Sequence, residues 1–134
     1  MTHIAVVILN WNGKENTLEC LATIKKLAVK NYKLSTVVVD NGATDGSAAV
    51  LRSYQFPAAS YQFIENKTNL GFAEGNNMGI KWALKNGADY VLILNNDTIV
   101  DEKLVEHLLA VAGKYKNAGV FSPKIYFAPG FEFH

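Results

Sequence analysis

The feature that most constrains this chain is a set of short, unbroken apolar runs, each stopped by Asn or Asp. Residues 4–9 end at Asn10-Trp11-Asn12-Gly13, residues 36–39 at Asp40-Asn41-Gly42, and residues 90–94 at Asn95-Asn96-Asp97-Thr98. Runs of this length are too short to cross a bilayer, and without polar alternation they read as strands buried on both faces. A strand buried on both faces needs a covering layer on each side, so the segments between the runs must supply helices.

They do. Leu18, Leu21, Ile24 and Leu27 recur at helical spacing over residues 14–27, and a turn is marked by Asn31 and Lys33. A short helix capped by Thr44 or Asp45 runs to residue 53 and is closed by Pro57, and a weaker strand follows over 61–64. The spacing predicts a helix over 72–85 with Ile80, Ala83 and Leu84 inward and Asn86-Gly87 as its stop. It predicts another over 101–114 with Leu104, Leu108 and Val111 in register, then a fifth strand over 119–127. Strands alternating with helices imply parallel pairing through right-handed crossovers, hence an α/β fold: a three-layer α/β/α sandwich around a mostly parallel sheet. No repeat or linker divides the 134 residues, which read as one domain able to bury roughly two thirds of its unfolded surface.

Composition excludes several classes. Hydrophobic content of 49% with 19% charged residues is that of a soluble globular domain. A net charge of +1 with no basic block gives no case for a nucleic-acid partner. Cys20, the single cysteine, cannot form an intrachain disulfide, which fits a reducing compartment. The N-terminus runs straight into a strand without the pattern of a signal peptide, and no transmembrane segment is present, so a cytoplasmic location is expected.

The polar stops carry the functional argument. Asn10 and Asn12, Asp40 and Asn41, Asn66 and Asn69, and Asn95 to Asp97 each follow a strand, and in a parallel sheet all four ends share one edge, where such folds bind ligands. The residues leave two readings for Asp97: ligand of a divalent metal that holds a diphosphate, or cap of the helix beginning near Asp101. No Gly-x-x-x-x-Gly-Lys-Ser/Thr loop occurs, and Gly71, Gly75 and Gly79 lack the dinucleotide spacing. Close packing suits Gly75 and Gly79, and a backbone approach to ligand suits Gly71 at a helix start. His3, His107, His134 and Cys20 have no spacing partner for nucleophilic catalysis.

Four segments together resemble the successive motifs of family-2 glycosyltransferases with the GT-A fold, nearest to a rhamnosyltransferase-like branch. They are Ile8-Leu9-Asn10-Trp11-Asn12-Gly13, Val38-Val39-Asp40-Asn41-Gly42-Ala43-Thr44-Asp45-Gly46-Ser47, Asn69-Leu70-Gly71-Phe72-Ala73-Glu74-Gly75-Asn76-Asn77-Met78-Gly79 and Leu94-Asn95-Asn96-Asp97-Thr98. The resemblance covers residues 4–127 and implies the following roles. Leu9, Asn10 and Asn12 form the nucleotide pocket, and Trp11 lies against the base. Asp40, beside Asn41, accepts a hydrogen bond from the ring N–H of uracil or thymine. Lys67, Gly71, Asn76, Asn95 and Asn96 complete the nucleotide site, and Asp97 ligates Mg²⁺ or Mn²⁺. Two departures from the family pattern stand out. Asn95 and Asn96 leave a single anion in the Asp-x-Asp signature, and Asn76 replaces a phosphate-facing Arg, so charge compensation falls on the metal with help from Lys67.

The implied reaction is inverting transfer from a UDP- or dTDP-sugar, dTDP-rhamnose included, to a hydroxyl of a glycan or lipid-linked acceptor in cell-surface polysaccharide synthesis. It would run in the cytoplasm or at the inner face of the membrane, with peripheral association through regions outside this chain. The catalytic base and acceptor half are expected beyond His134, so the chain by itself is expected to bind nucleotide weakly and to transfer little sugar. Two alternatives differ in class. A non-catalytic sugar-nucleotide-binding module would bind without turnover, and a nucleotidyltransferase would carry a Gly-rich basic loop where Asn10-Trp11-Asn12-Gly13-Lys14 stands.

Overall fold

The computed structural model describes residues 1–56 and 60–126. Its elements are β1 (Thr2–Asn10), α1 (Lys14–Ile24), β2 (Tyr32–Asp40), α2 (Ser47–Arg52), β3 (Ser60–Glu65), α3 (Gly71–Lys85), β4 (Tyr90–Asn95) and α4 (Leu104–Lys114). The four strands form one parallel sheet in the order β3-β2-β1-β4. The chain steps outward from β1 to β3, returns across the sheet through α3, and lays β4 on the far side of β1. The reversal of direction falls between β1 and β4, the place where open α/β sheets form a ligand crevice.

Strand alternation divides the core into two layers. Ile4, Val6, Ile8 and Val38 face Cys20, Leu21 and Ile24 of α1, Leu51 of α2 and Val105 of α4. Val7, Val37 and Val39 face Met78 and Trp82 of α3. The helices therefore cover both faces, three on one side and α3 on the other, as the sandwich predicted from sequence requires. Full burial of each such aliphatic side chain contributes about 1.5–3 kcal/mol, which makes β1 and β2 the spine of the domain.

α3 can lie close to that spine because its buried face is made of small residues: Gly75, Asn76, Gly79 and Ala83. A Cβ on Gly79 would sit 2.4 Å from Val7 Cγ1, and one on Gly75 would sit 2.5 Å from Leu9 Cδ1. Close packing is thus the role of both glycines. The same fact corrects the expected inward face, because Leu84 is 61% exposed.

Other expectations also change. β2 begins at Tyr32, so Lys33 lies in the strand rather than in a turn. β4 is not buried on both faces: Tyr90 and Ile93 are exposed, because among the described residues it pairs only with β1. Residues 119–126 form no strand, and Val120 and Ile125 are exposed. α4 starts at Leu104, and Val111 lies on its exposed side while Val105 and Ala112 are buried. Pro57 and residue 127 lie outside the described residues.

Candidate functional site

The carboxyl ends of all four strands converge, with Asn10 opposite Asp40, Asp40 opposite Glu65, and Leu9 opposite Asn95. Two buried amide networks hold the loops that leave these ends. In the first, Asn10 Nδ2 donates to Asp40 Oδ1 at 2.6 Å and to Ser47 Oγ at 2.9 Å. Asn10 Oδ1 accepts the Thr17 hydroxyl at 2.8 Å, and Asn96 Nδ2 donates to Thr17 Oγ1 at 3.0 Å. Asp40 Oδ2 accepts the amide of Ala43 at 3.1 Å. Asp40 is 1% exposed, so its charge sits in a cage of donors that ties β1, β2 and the β4 loop to the starts of α1 and α2.

The second network centres on Asn41. Its Nδ2 donates to Asn69 Oδ1 at 2.9 Å and to the carbonyl of Gly71 at 3.1 Å, and its Oδ1 accepts Asn66 Nδ2 and the Leu70 amide, each at 3.1 Å. An Asn side chain offers two donor hydrogens and two acceptor lone pairs, and all four are engaged within the protein. Asn41, expected to meet the nucleotide, instead fixes the loop between β3 and α3. Gly71 changes role in the same way. Its amide donates to Asn69 Oδ1 at 2.8 Å, and its φ of 80° is the left-handed conformation that favours glycine, so it shapes the loop and presents no free N–H.

Asn12 also adopts a left-handed conformation, with φ of 52°, and its Oδ1 accepts the Thr44 amide at 2.7 Å. Asp45 accepts the amides of Lys14 and Ser47, and hydrogen bonding from Ser47 holds this carboxyl below its ordinary value. These contacts join the β1–α1 and β2–α2 loops into one rigid rim.

Against this self-satisfied background, a few groups point outward. Trp11 is 56% exposed on the loop after β1. Asn95 and Asp97 are exposed, and among the described residues the Asp97 carboxylate accepts no hydrogen bond. The turn before α4 is served by Asp101, whose Oδ1 accepts the Lys103 amide at 2.8 Å, so Asp97 is not the cap of that helix. Lys67 is exposed and makes no ion pair among the described residues. Asn96 is half turned inward: besides Thr17, its Nδ2 reaches the carbonyl of Gly13 at 3.5 Å. Asn76 is 4% exposed; its Nδ2 donates to the Phe72 carbonyl while its Oδ1 has no partner. Leu9 packs beneath the rim against the α3-side core.

A divalent cation at this rim would meet one protein carboxylate, that of Asp97. Among the described residues no group of three His, Cys, Asp or Glu side chains could hold a metal ion. A single unencumbered carboxylate suits an ion that fills its shell with phosphate oxygens and water. Cys20 lies behind this loop, its Sγ 3.8 Å from the carbonyl of Asn95, and burial raises its thiol from the ordinary 9.0 to about 11, with the Asp97 charge adding to the rise. It is an inert core group.

Sequence reasoning missed Thr17 and Ser47. Each is a hydroxyl on the first turns of a helix, and nothing in their spacing distinguishes a network hydroxyl from a capping one.

An open parallel sheet whose strand order reverses between β1 and β4 defines the class. The chain is a member of a particular family within it: residues 5–133 match Glycosyl transferase family 2, and the chain belongs to that family. It is 27% identical over 133 residues to glycosyltransferase GlyG of Streptococcus pneumoniae, the match covering 92% of this chain and 42% of GlyG. S. aureus TarS 1-349 in complex with UDP-GlcNAc has the same fold, with a TM-score of 0.74 at 18% identity over 92% of this chain and 37% of that one. The mannosyltransferase PcManGT from Pyrobaculum calidifontis, in complex with GDP-Man and Mn²⁺, gives 0.67 at 24% identity, covering 87% of this chain and 32% of the other. The chain spans less than half the length of each of these proteins.

Proposed function

We propose that this chain is the donor-binding part of an inverting glycosyltransferase that uses a UDP- or dTDP-sugar, dTDP-rhamnose of the rhamnosyltransferase-like branch included. The observation that carries the reading is the Asp97 carboxylate, exposed and, among the described residues, without a protein partner, on the loop that leaves β4 beside the sheet's topological reversal. Asp97 would hold Mg²⁺ or Mn²⁺, and the bound ion would supply positive charge to the leaving diphosphate. Trp11 offers a flat face to the base. Asp40, fixed by Asn10, Ser47 and Ala43, keeps acceptor capacity on Oδ2 for a ring N–H, which favours a base that donates there. Lys67 adds the cationic charge that Asn76 does not provide. A structural neighbour in complex with UDP-GlcNAc supports a nucleotide-sugar donor.

The acceptor is a hydroxyl of a glycan or lipid-linked saccharide. A sugar-nucleotide donor fits a reaction in the cytoplasm or at the inner membrane face. Among the described residues no helix is long and apolar enough to cross a membrane.

The test is calorimetric titration of the chain with UDP and dTDP, with and without Mn²⁺. Metal-dependent binding that Asp97→Ala weakens at least tenfold is the expected result. Equal binding with and without metal would remove Asp97 from the site.

A further inference from the structure

Beyond the strand ladder, the loop that leaves β4 is hydrogen-bonded to α1 and to the residue before it. Asn96 Nδ2 donates to Thr17 Oγ1 at 3.0 Å, the Val100 amide donates to Thr23 Oγ1 at 3.3 Å, and the Asn95 carbonyl accepts Cys20 Sγ at 3.8 Å. Of these the Thr17 bond is the shortest, and it holds the side chain next to Asp97. Asn95 and Asp97 are exposed while Asn96 between them is partly buried, so one inward bond stands between two outward polar groups.

Thr17 also connects that loop to the far side of the site. The Asp40 carboxylate can only accept, which orients the Asn10 amide to donate Nδ2 to it at 2.6 Å. Asn10 Oδ1 is then the acceptor for the Thr17 hydroxyl at 2.8 Å, and the Thr17 oxygen is left to accept from Asn96. The three bonds run in one direction, from the β4 loop through α1 and β1 to Asp40 on β2. Bonds in such a chain polarise one another, and the charged acceptor at its end strengthens them. Thr17, Asn10 and Asp40 are each 1% exposed or less, so water does not stand in for a missing link.

We infer that Thr17 is a positioning residue for metal binding: through Asn96 it fixes the loop on which Asp97 stands, and through Asn10 it ties that loop to Asp40, so that dication and nucleotide meet one preorganised unit. The inference rests on the proposed donor-binding function and adds a residue that touches neither ligand. A carboxylate on a pinned loop loses less freedom when the ion arrives, and that saving appears as affinity.

The test is calorimetric titration with UDP, with and without Mn²⁺, of Thr17→Val, which keeps the side-chain shape and removes the hydroxyl, and of Thr17→Ser, which keeps the hydroxyl. Asp40 retains its bonds from Asn10, Ser47 and Ala43 in both, so metal-free affinity is expected to stay within twofold. The gain in affinity that Mn²⁺ confers is expected to shrink about fivefold in Thr17→Val and to be retained in Thr17→Ser. Asn96→Ala breaks the same link without touching α1 and carries the same expectation should Thr17→Val not fold; where both fold, the double variant should lose no more than either alone. An unchanged gain, an equal loss with and without Mn²⁺, or additive losses in the double variant would overturn the inference while leaving the donor-binding reading intact, and so would a Thr17→Ser as impaired as Thr17→Val. Absence of any Mn²⁺-dependent gain in the unsubstituted chain would overturn both.

Discussion

Replacing Asn41 by Ala tests whether the loop between β3 and α3 is held by one buried side chain. Four hydrogen bonds are lost together: two donated to Asn69 Oδ1 and the Gly71 carbonyl, and two accepted from Asn66 Nδ2 and the Leu70 amide. Asn66 is only 9% exposed, so its amide is stranded at about 1–3 kcal/mol. The other three groups belong to exposed residues that water can reach, and each costs about 0.5 kcal/mol. The total is about 3 kcal/mol, which corresponds to a fall in Tm of roughly 10 °C for a domain of this size. Urea unfolding followed by circular dichroism measures the stability, and hydrogen exchange at the Leu70 amide measures the order of the loop. The Leu70 amide should exchange faster in the variant by more than the global loss of stability accounts for. A stability change below about 0.5 kcal/mol, with Leu70 exchange unaltered, would show that the network follows the loop and does not hold it.

Two glycines give effects of opposite sign. In Gly79→Ala the added methyl meets Val7 and Val39, β-branched groups fixed in the two central strands, and an overpacking cost of about 2–3 kcal/mol exceeds the helix-propensity gain of about 1 kcal/mol. Gly113→Ala in α4 meets nothing within 4 Å and is expected to stabilise by about 0.5–1 kcal/mol; thermal unfolding of the pair decides, and the same sign for both would contradict the packing of α3. Cys20, titrating at about 11, should be alkylated by iodoacetamide at pH 8 on the order of a hundredfold more slowly in the folded chain than in urea. Because burial raises its folded pKa, the stability it contributes is fully present below its ordinary 9.0 and is lost as pH rises toward about 11. Cys20→Ala should flatten that alkaline decline, and an unchanged decline would assign it to other groups.

Strands β1 and β2 were legible because burial on both faces leaves a continuous apolar signature, and parallel pairing, though not the strand order, followed from the alternation of strands with helices. The inward face of α3 was not, because hydrophobic periodicity registers large side chains and this face is built of Gly75, Asn76, Gly79 and Ala83, which leaves Leu84 outside. The exposed flank of β4 was hidden for a related reason: its sequence is as apolar as that of β1, and only the sheet order reveals that β1 alone flanks it among the described residues. At the site, the sequence placed Asn and Asp at the strand ends but could not say which turn inward. Asn10, Asp40 and Asn41 are each 1% exposed or less and bonded within the protein, while Trp11 and Asp97 face solvent. That distinction depends on partners such as Thr17 and Ser47, which come from other elements.

The central claim is that one carboxylate recruits a dication on behalf of a diphosphate. Electron paramagnetic resonance of Mn²⁺ tests it most directly, because the signal of the free ion falls as the ion is sequestered. The account predicts weak sequestration by the chain alone, tightening at least tenfold when UDP is added beyond what UDP does by itself, and abolition of that increment in Asp97→Asn with the fold unchanged. An increment of the same size in Asp97→Asn would contradict it.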